Sequence, residues 1–292
     1  MSHSIENRVA IVTGAGSGLG REHALFLARR GARVIVNDLV HATADSVVAD
    51  IKAVGGTAMP FGASVTDEGA VAAMVESAMR EWGRVDILIN NAGILRDKSF
   101  AKMSLDDVRL VIEVHLMGSA ICTKAVWEQM REQRYGRIVM TTSSSGLYGN
   151  FGQANYSAAK MGLVGLMQTL AIEGQKYDIR VNCLAPSAAT QMTEGVLSEA
   201  DLKALRPALV SPGLLALVAE DAPTRAILCA GAGHFARAAV TLSVGEYIGG
   251  GADADERVIA QWPKISDREG EMVPDYGFTQ AEREVASAKR QT

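Results

Sequence analysis

The chain has 292 residues, of which 48% are hydrophobic and 21% charged, so it is long enough to bury one large core or two average ones. Its 29 lysines and arginines stand against 33 aspartates and glutamates, which gives a net charge of −4, and aromatic residues make up only 5%. This composition excludes the basic or aromatic-rich surfaces that proteins use to bind nucleic acid.

The predicted elements alternate between short apolar strands and helices from the start of the chain. Strands are predicted at residues 9–12, 33–37, 57–61, 85–89, 137–141, 179–184 and 239–244. Helices are predicted at residues 19–30, 43–54, 67–82, 105–133 and 156–175. Continuous apolar strands that alternate with helices are typical of a parallel sheet buried on both faces. We therefore predict an α/β, Rossmann-like, doubly wound sheet of about seven strands with helices on both faces.

Two regions depart from this alternation. Residues 186–223 contain four prolines and short helical patches, and we predict that they form a substrate loop over the carboxyl edge of the sheet. After the three glycines at 249–251 the chain is polar, and it could wrap a neighbouring subunit, cover the site or be partly mobile. No linker or repeat is evident. The prediction is one domain spanning residues 1–292, with a core at about 8–248 and a C-terminal extension at 249–292.

The cysteines and the N-terminus bear on compartment and partners. Cys122, Cys183 and Cys229 are widely spaced and form no CxxC or Cys/His cluster, so neither a metal site nor a disulfide framework is predicted. Residues 1–12 lack the basic start and apolar stretch of a signal peptide, and no run of eighteen apolar residues predicts a membrane span. We expect a cytoplasmic protein that binds neither nucleic acid nor membrane.

A glycine-rich turn lies between the first predicted strand and the first predicted helix. Its sequence over residues 13–20 is TGAGSGLG, and glycines there allow a tight turn whose N–H groups can approach a pyrophosphate closely. A glycine-rich turn alone can be an ordinary loop, but its position between strand and helix favours a dinucleotide site. The predicted cofactor contacts in the turn are Gly14, Ser17, Gly18, Leu19 and Gly20.

Asp38 ends the second predicted strand, twenty residues after Gly18. A carboxylate at this point can accept hydrogen bonds from both hydroxyls of an adenosine ribose and would repel a 2′-phosphate. Ser17 and Leu39 occupy the positions where a basic residue often serves NADP, although Arg21 and Arg33 lie nearby. The sequence therefore favours NAD, the alternative being that Asp38 is an ordinary solvated loop carboxylate.

Two further motifs follow in the order and on the elements typical of one family. Asn90-Asn91-Ala92-Gly93 follows the fourth strand, and Tyr156-Ser157-Ala158-Ala159-Lys160 begins a helix, with Ser143 thirteen residues before the tyrosine. With the glycine turn, these motifs make residues 8–244 resemble the short-chain dehydrogenase/reductase family. The resemblance implies that Asn91, Ala92, Gly93, Ser64 and Val65 lie on the adenosine side of the cofactor. It also implies that Thr190 lies near the nicotinamide amide and that Lys160 holds the nicotinamide ribose.

The chemistry of the third motif has its own physical basis. Tyr156 and Lys160 are four residues apart on a helix, so their side chains share one face. A free tyrosine has a pKa near 10, and we expect the Lys160 ammonium and the positive nicotinamide to lower it so that Tyr156 acts as the base. Ser143 is expected to hydrogen-bond the substrate oxygen. Ser144 and Ser145 are adjacent, and the spacing in the family favours Ser143.

The chain departs from the family pattern at three positions. His115 stands where the family commonly has an asparagine that supports a proton relay, so it either serves that relay through water or is structural. Ser187 follows Pro186 where glycine is frequent, and Ser64 replaces the usual aspartate on the adenine side.

Several segments indicate a subgroup of the family. The stretches at residues 91–100 and 148–160, together with Val114-His115-Leu116, resemble the dehydrogenase domains of the type 2 peroxisomal multifunctional enzymes of β-oxidation. This resemblance implies oxidation of a (3R)-hydroxyacyl-CoA with NAD⁺, on an acyl or steroid-derived chain. The alternatives are a 3-oxoacyl-carrier reductase, a hydroxysteroid dehydrogenase, or a nucleotide-sensing scaffold without catalysis. The scaffold is disfavoured because Tyr156 and Lys160 are both present.

The substrate loop and the oligomeric state are predicted from apolar residues. The leucines of the loop form either an apolar lid or a helix packed in the core, and they are Leu197, Leu202, Leu205, Leu209, Leu214 and Leu215. The helix at residues 156–175 has small residues on one side and is apolar nearly all round. Such a helix is expected to pair with its symmetry mate, which predicts a homodimer or a D2 homotetramer.

Overall fold

A computed structural model describes residues 4–189 and 198–290 of the protein. These residues contain one sheet of eight strands. The strands are β1 Val9–Val12, β2 Arg33–Asp38, β3 Thr57–Gly62, β4 Ile87–Asn90, β5 Gly136–Thr141, β6 Ile179–Ser187, β7 Ile227–Gly231 and β8 His234–Ala238. Their order across the sheet is β3-β2-β1-β4-β5-β6-β7-β8. All pairs from β3 to β7 are parallel, which confirms the predicted α/β doubly wound architecture.

Twelve α-helices lie among the described residues. They are α1 Gly18–Arg29, α2 His41–Ala53, α3 Glu68–Trp82, α4 Leu105–Ile112, α5 Gly118–Gln133, α6 Ser144–Tyr148, α7 Ala154–Gly174, α8 Glu199–Ala204, α9 Ser211–Val218, α10 Ala254–Ala260, α11 Trp262–Ile265 and α12 Phe278–Lys289. Contacts join α1 to α2 and α9, whereas α3 packs with α5 and α4 with α7. These groups cover the two faces of a sheet whose winding reverses between β1 and β4.

Short polar signals set several helix boundaries. Asp67 precedes α3 and its carboxylate accepts a hydrogen bond from the N–H of Ala70 at 2.9 Å. At the other end of α3, Gly83 adopts the left-handed conformation at φ 73°, which ends the helix where the sequence predicts. Ser104 likewise accepts a hydrogen bond from Asp107 at the start of α4.

The central strands lie in the core on both sides, which explains their uninterrupted apolar sequence. Every residue of β1 and β4 is buried, and Val34, Ile35 and Val36 of β2 are fully shielded from solvent. Because alternate residues of a strand point to opposite faces, both faces must be covered by helices. The carboxyl ends of the parallel neighbours β1 and β4 therefore lie side by side at one edge of a buried sheet.

The last predicted strand is wrong. Residues 239–244 form no strand and contain only an isolated antiparallel bridge between Leu242 and Met272. The strand that pairs with β6 is β7, whose Ile227 and Ala230 are buried, whereas Val240 and Val244 are exposed. Ala232 and Gly233, both with positive φ, then form a two-residue turn that folds β8 back as an eighth strand. Burial beside β6, and not β-branched composition, decides which segment joins the sheet.

The predicted helix at 105–133 contains a local irregularity. Residues Glu113–Met117 form a π-helical turn between α4 and α5, and His115 lies within it. By length and composition the run Leu105–Gln133 could cross a membrane, with a mean hydropathy of 1.3 over its most apolar window, of which 39% is buried. A core helix satisfies the same criterion, and Val111, Val126 and Met130 of this run are fully buried.

The chain divides into two compact units between Arg237 and Ala238. The first contains strands β1 to β7, residues 234–237 of β8, and helices α1 to α9. The second contains helices α10 to α12 and the Leu242–Met272 bridge. All described residues that the sequence assigns to the site belong to the first unit.

Candidate functional site

The glycine turn between β1 and α1 is a backbone cradle. Gly14 and Gly18 have φ values of 60° and 53°, which side-chain-bearing residues rarely adopt. A Cβ on Gly20 would lie 2.2 Å from the carbonyl oxygen of Gly14, so only glycine permits this approach. Ser17 is exposed just before α1, and Leu19 is buried. The turn thus presents backbone N–H groups at a helix start, an arrangement that fits a pyrophosphate.

Asp38 lies at the carboxyl end of β2 against this turn. Its Oδ2 atom accepts a hydrogen bond from the N–H of Gly16 at 2.9 Å, and its Oδ1 atom accepts one from Val40 at 3.3 Å. The neighbouring Leu39 is exposed and carries no charge. The carboxylate is therefore held at the rim of the glycine turn, as a ribose-binding group would be.

The turn after β4 is joined to the glycine turn by hydrogen bonds. The side-chain amide of Asn91 donates to the carbonyl oxygens of Thr13 at 3.0 Å and Gly14 at 3.1 Å. The N–H groups of Asn91 and Ala92 both donate to the Thr13 hydroxyl. Thr13 was not among the predicted contacts, although it begins the glycine motif, and it fixes the two turns to each other.

Ser64 and Val65 follow β3, and the structure gives them local contacts. The Ser64 hydroxyl lies 2.8 Å from that of Thr66 within the same turn. Val65 is buried, and a Cβ on Gly118 at the start of α5 would lie 2.6 Å from its Cγ2 atom. Val65 therefore packs against the long helix, and its contact with an adenine stays a prediction.

The predicted catalytic residues come together at the carboxyl end of β5. Ser143 caps the start of α6, where its hydroxyl accepts a hydrogen bond from the N–H of Ser145 at 3.1 Å. The Ser143 and Tyr156 hydroxyls are hydrogen-bonded to each other. Of the three consecutive serines, Ser143 is thus the one that reaches Tyr156, whereas Ser144 is exposed.

Lys160 lies one turn after Tyr156 on α7, and its side chain is buried beneath the tyrosine. Its Nζ atom donates to the carbonyl oxygen of Thr141 at 2.5 Å and lies 5.4 Å from the centre of the Tyr156 ring. Burial lowers the pKa of Lys160 from 10.5 to about 7. The Thr142 hydroxyl donates to the Lys160 carbonyl oxygen at 2.6 Å, which anchors this part of α7 to the end of β5.

The lowering of the Tyr156 pKa that was expected from the Lys160 ammonium is wrong, and the lowering expected from the nicotinamide stays a prediction. Burial raises the pKa of the phenol above its ordinary value of 10, the hydrogen bond from Ser143 lowers it, and the nearby Asp97 carboxylate raises it further. Lys160 does not offset the burial because it is itself desolvated and its own pKa falls to about 7. Among the protein groups, Ser143 is the one that stabilises the phenolate.

His115 connects the turn after β4 to Tyr156, the predicted catalytic base. Its ring meets the Tyr156 ring edge-on, with the centroids 5.2 Å apart, and its Nε2 atom lies 2.8 Å from the carbonyl oxygen of Ile94. A Cβ on Gly93 would lie 2.2 Å from the ring, so this glycine is required sterically. Burial lowers the pKa of His115 to about 3, so the ring is neutral. The structural role is evident in these contacts, and the relay through water stays a prediction.

The contacts form one continuous site. They run from Gly14 to Asn91, from the turn after β4 through His115 to Tyr156, and from there to Ser143 and Lys160. Among the described residues, no group of three histidine, cysteine or acidic side chains is arranged to hold a metal ion.

Thr190 and Leu197 lie outside the described residues. Among the remaining leucines of the loop, Leu214 is fully buried in the core on α9 and Leu215 packs against the core, whereas Leu202, Leu205 and Leu209 are half-buried. Of the two alternatives, an apolar lid or a helix packed in the core, the second therefore holds for the leucines of α9.

Comparison with known proteins identifies relatives of this site and fold. The model of the short chain dehydrogenase family matches residues 8–201. The peroxisomal multifunctional enzyme type 2 of Drosophila melanogaster is 51% identical over 74% of this chain, which spans only 37% of that protein. Its full-length structure superimposes with a TM-score of 0.83 at 37% identity, covering 99% of this chain and 50% of the other.

Two further proteins match this chain over most of their own length. A short-chain type dehydrogenase/reductase of Mycobacterium tuberculosis is 44% identical over 93% of this chain and 98% of its own. A 7α-hydroxysteroid dehydrogenase in complex with NADH and 7-oxo glycochenodeoxycholic acid gives a TM-score of 0.74 at 29% identity, over 79% of this chain and 95% of the other.

Proposed function

Since this chain belongs to the short chain dehydrogenase family, we propose that it uses NAD⁺ to oxidise a (3R)-hydroxyacyl-CoA to the 3-oxoacyl-CoA. Membership makes it an oxidoreductase that acts on CH–OH groups of small molecules. The observation that carries the proposal is the continuous set of contacts from the glycine turn through His115 to Tyr156, because it unites a dinucleotide cradle with an acid–base group.

NAD is favoured over NADP by the position of Asp38. Its carboxylate is held at the rim of the glycine turn by the N–H of Gly16, where a 2′-phosphate would be repelled. The uncharged Leu39 beside it offers no compensating cation. The 7α-hydroxysteroid dehydrogenase, which shares this fold, is bound to NADH in its structure.

In this proposal Tyr156, Ser143 and Lys160 have different roles in the reaction. When bound, NAD⁺ supplies the acceptor for the hydride that leaves the substrate carbon. The Tyr156 phenolate oxygen takes the proton of the substrate hydroxyl. The Ser143 hydroxyl has one proton to donate, so it hydrogen-bonds the phenolate in the free protein and the substrate oxygen once substrate is bound. Lys160, with a pKa of about 7, holds a proton beneath the tyrosine and can release it near neutral pH.

The proposal also specifies that the substrate is an acyl thioester. It is supported by the likeness to the Drosophila multifunctional enzyme, which is stronger by identity than the likeness to the hydroxysteroid dehydrogenase. A steroid alcohol is the second candidate, because that dehydrogenase superimposes over 79% of this chain and its structure contains a bile-acid derivative.

Nicotinamide absorbance distinguishes these possibilities directly. The protein is assayed with NAD⁺ and NADP⁺ on (3R)- and (3S)-hydroxyacyl-CoA and on 7-hydroxysteroids, with Tyr156→Phe as the control. Turnover of the (3R) thioester with NAD⁺, abolished in the variant, is the expected result. Preference for NADP⁺ would overturn the argument from Asp38, and turnover of steroids alone would overturn the thioester assignment.

We also propose that the protein is a homodimer or a D2 tetramer in which α7 packs on its symmetry mate. The outward side of α7 carries Ala154, Ala158 and Gly165, and a Cβ on Gly165 would have no atom within 4 Å. Small residues at such positions allow close helix–helix approach. Light scattering at micromolar concentration tests this, and a monomeric mass would contradict it.

A further inference from the structure

A cleft beside the glycine turn is lined by two segments that are far apart in the sequence. It has a volume of about 350 Å³, and its walls are Gly18, Arg21 and Glu22 of α1 on one side and residues 206–208 on the other. Gly18 belongs to the glycine turn, which fits the pyrophosphate of a dinucleotide. The side chains on the opposite wall therefore lie close to the position that this pyrophosphate would take.

The backbone of Arg206 is held at the cleft from both sides. Just before it, the carbonyl oxygen of Leu205 accepts a hydrogen bond at 2.6 Å from the N–H of Ala189, which follows β6. Just after it, Pro207–Leu209 forms a 3₁₀ turn that packs against α1, and Val210 is fully buried in the core. Arg206 thus has a fixed place between the carboxyl end of β6 and the first turn of α1.

The two arginine side chains on the cleft differ in their partners. Arg21 donates to Glu22 and to Asp50, in each case at 2.8 Å. Arg206 is exposed, and it has no ion-pair partner in the part of the chain that the structure describes. Because Arg21 already pairs with the acidic side chain of the cleft, the guanidinium of Arg206 is available to an anion that enters from solvent.

A dinucleotide brings such an anion to this position. The glycine turn, residues 13–20, contains no charged side chain, and the Ser17 hydroxyl does not cap α1. The carboxylate at its rim, Asp38, is negative. A bound pyrophosphate carries two negative charges, and a planar guanidinium can donate two parallel hydrogen bonds to phosphate oxygens. Arg206 can therefore supply the positive charge that the turn lacks.

We propose that Arg206 binds the pyrophosphate of the nicotinamide dinucleotide across this cleft and so links the substrate loop to the cofactor. The inference rests on the proposed use of NAD and adds a residue that lies outside the sequence motifs. The thioester substrate is a second source of phosphate, because coenzyme A carries a diphosphate and a 3′-phosphate. The cleft favours the dinucleotide, since it is shared with Gly18 of the cofactor turn.

NADH fluorescence titration of Arg206→Gln tests this assignment. Loss of a charged hydrogen bond to phosphate is expected to raise the NADH dissociation constant about tenfold at low ionic strength, and the difference should shrink at about 1 M salt. Arg206→Lys keeps the charge but not the paired donors, so its affinity should be intermediate. In competition with NADH, ADP-ribose should be weakened to the same extent, whereas adenosine, which has no phosphate, should bind both proteins equally.

Lys203→Gln is the matched control, because it removes the same charge from an exposed position on α8 outside the cleft. It should bind NADH as the wild type does, and thermal unfolding verifies that all variants are folded. A wild type that does not bind NADH would overturn the proposed cofactor and this role with it. Unchanged NADH affinity in Arg206→Gln would overturn this role alone, as would an equal loss of affinity for adenosine and ADP-ribose.

Kinetics separate the two sources of phosphate. The KM of (3R)-hydroxyacyl-CoA is compared with that of the N-acetylcysteamine thioester of the same acid, which has no phosphate. At saturating NAD⁺, Arg206→Gln should leave the ratio of the two values unchanged. A KM raised for the coenzyme A thioester alone, with unchanged NADH affinity, would assign Arg206 to the substrate phosphates and contradict the proposal.

Discussion

At the scale of single residues, burial determines the behaviour of the candidate catalytic group. Tyr156 and Lys160 are desolvated together, so the pKa of the phenol rises while that of the ammonium falls to about 7. The sequence predicted that these side chains share a helix face, because that depends only on spacing. It could not predict the direction of the pKa shift, which depends on how the surrounding elements exclude water.

The pH dependence of alcohol oxidation should report the Ser143–Tyr156 hydrogen bond. The bond lowers the Tyr156 pKa, so Ser143→Ala raises it and moves the ascending limb of kcat/KM to higher pH. Loss of the donor to the substrate oxygen should also reduce kcat by about 10²–10³-fold. The matched control is Ser144→Ala, an exposed neighbour, which should reproduce the wild-type profile. An unshifted limb in the Ser143 variant would contradict this role.

A buried histidine outside the site should make the fold sensitive to acid. His23 of α1 lies 2.9 Å from the Ser211 hydroxyl of α9, and burial lowers its pKa from 6.5 to about 3. Below pH 6.5 the unfolded chain binds a proton that the folded protein excludes until about pH 3. The free energy of unfolding therefore decreases as the pH is lowered from 6.5 to 3, by about 1.4 kcal/mol per pH unit for this group.

Urea unfolding at pH 7, 6 and 5 measures that effect. His23→Gln lowers stability at pH 7 but removes one titrating group, so its pH slope should be smaller than that of the wild type by about 1.4 kcal/mol per unit. His115, with the same pKa of about 3, supplies a comparable contribution that the variant retains. Equal slopes in the two proteins would show that His23 is not the origin.

At the scale of elements, periodicity predicted strands and helices well where their residues face a continuous core. The boundaries of α1, α3 and α7 differ from those predicted by two residues or fewer. Gly31 and Gly83 mark the ends of α1 and α3, and Asp67 caps the start of α3. The last strand was predicted at residues 239–244 whereas β7 lies at Ile227–Gly231, and the π-turn at Glu113–Met117 and strand β8 were missed. Both depend on packing between elements: the π-turn places His115 against Tyr156, and β8 exists because the Ala232-Gly233 turn returns the chain along β7.

The glycine turn should tolerate no side chain at Gly20. In Gly20→Ala, the new methyl group would lie 2.2 Å from the Gly14 carbonyl oxygen and 2.5 Å from the Asn91 amide, and neither group can move without breaking the link between the turns. We expect a loss of about 1–3 kcal/mol in stability and at least about tenfold weaker NADH binding.

Gly69→Ala is the matched control because it lies in the first turn of α3, where the nearest atom to a Cβ is 3.5 Å away. That variant should be stabilised by up to about 1 kcal/mol through helix propensity, with unchanged NADH affinity. NADH fluorescence and thermal unfolding measure both quantities. Equal NADH affinities for the two variants would refute the close-approach argument.

At the scale of the whole molecule, the order of the strands assembles the site. Because β1 and β4 are neighbours although far apart in sequence, the glycine turn and the Asn91 turn emerge side by side. Motif order suggested this arrangement through a family resemblance, and the parallel ladder explains it physically. No motif in the sequence predicted the division of the chain after residue 237, and the predicted core extended to about residue 248.

That division predicts the outcome of limited proteolysis. Between β8 and α10 the chain has no helix or strand except the Leu242–Met272 bridge, and it contains exposed Glu246 beside Gly245. Protease Glu-C should therefore cut first at Glu246, because cleavage requires a segment free of regular structure. The described residues that are predicted to contact the cofactor, from Gly14 to Lys160, lie in the first unit, so the cleaved protein should bind NADH with the affinity of the intact chain. Glu246→Gln, which removes the site, should suppress this first cut. If NADH affinity instead falls in step with cleavage, the second unit contributes to cofactor binding.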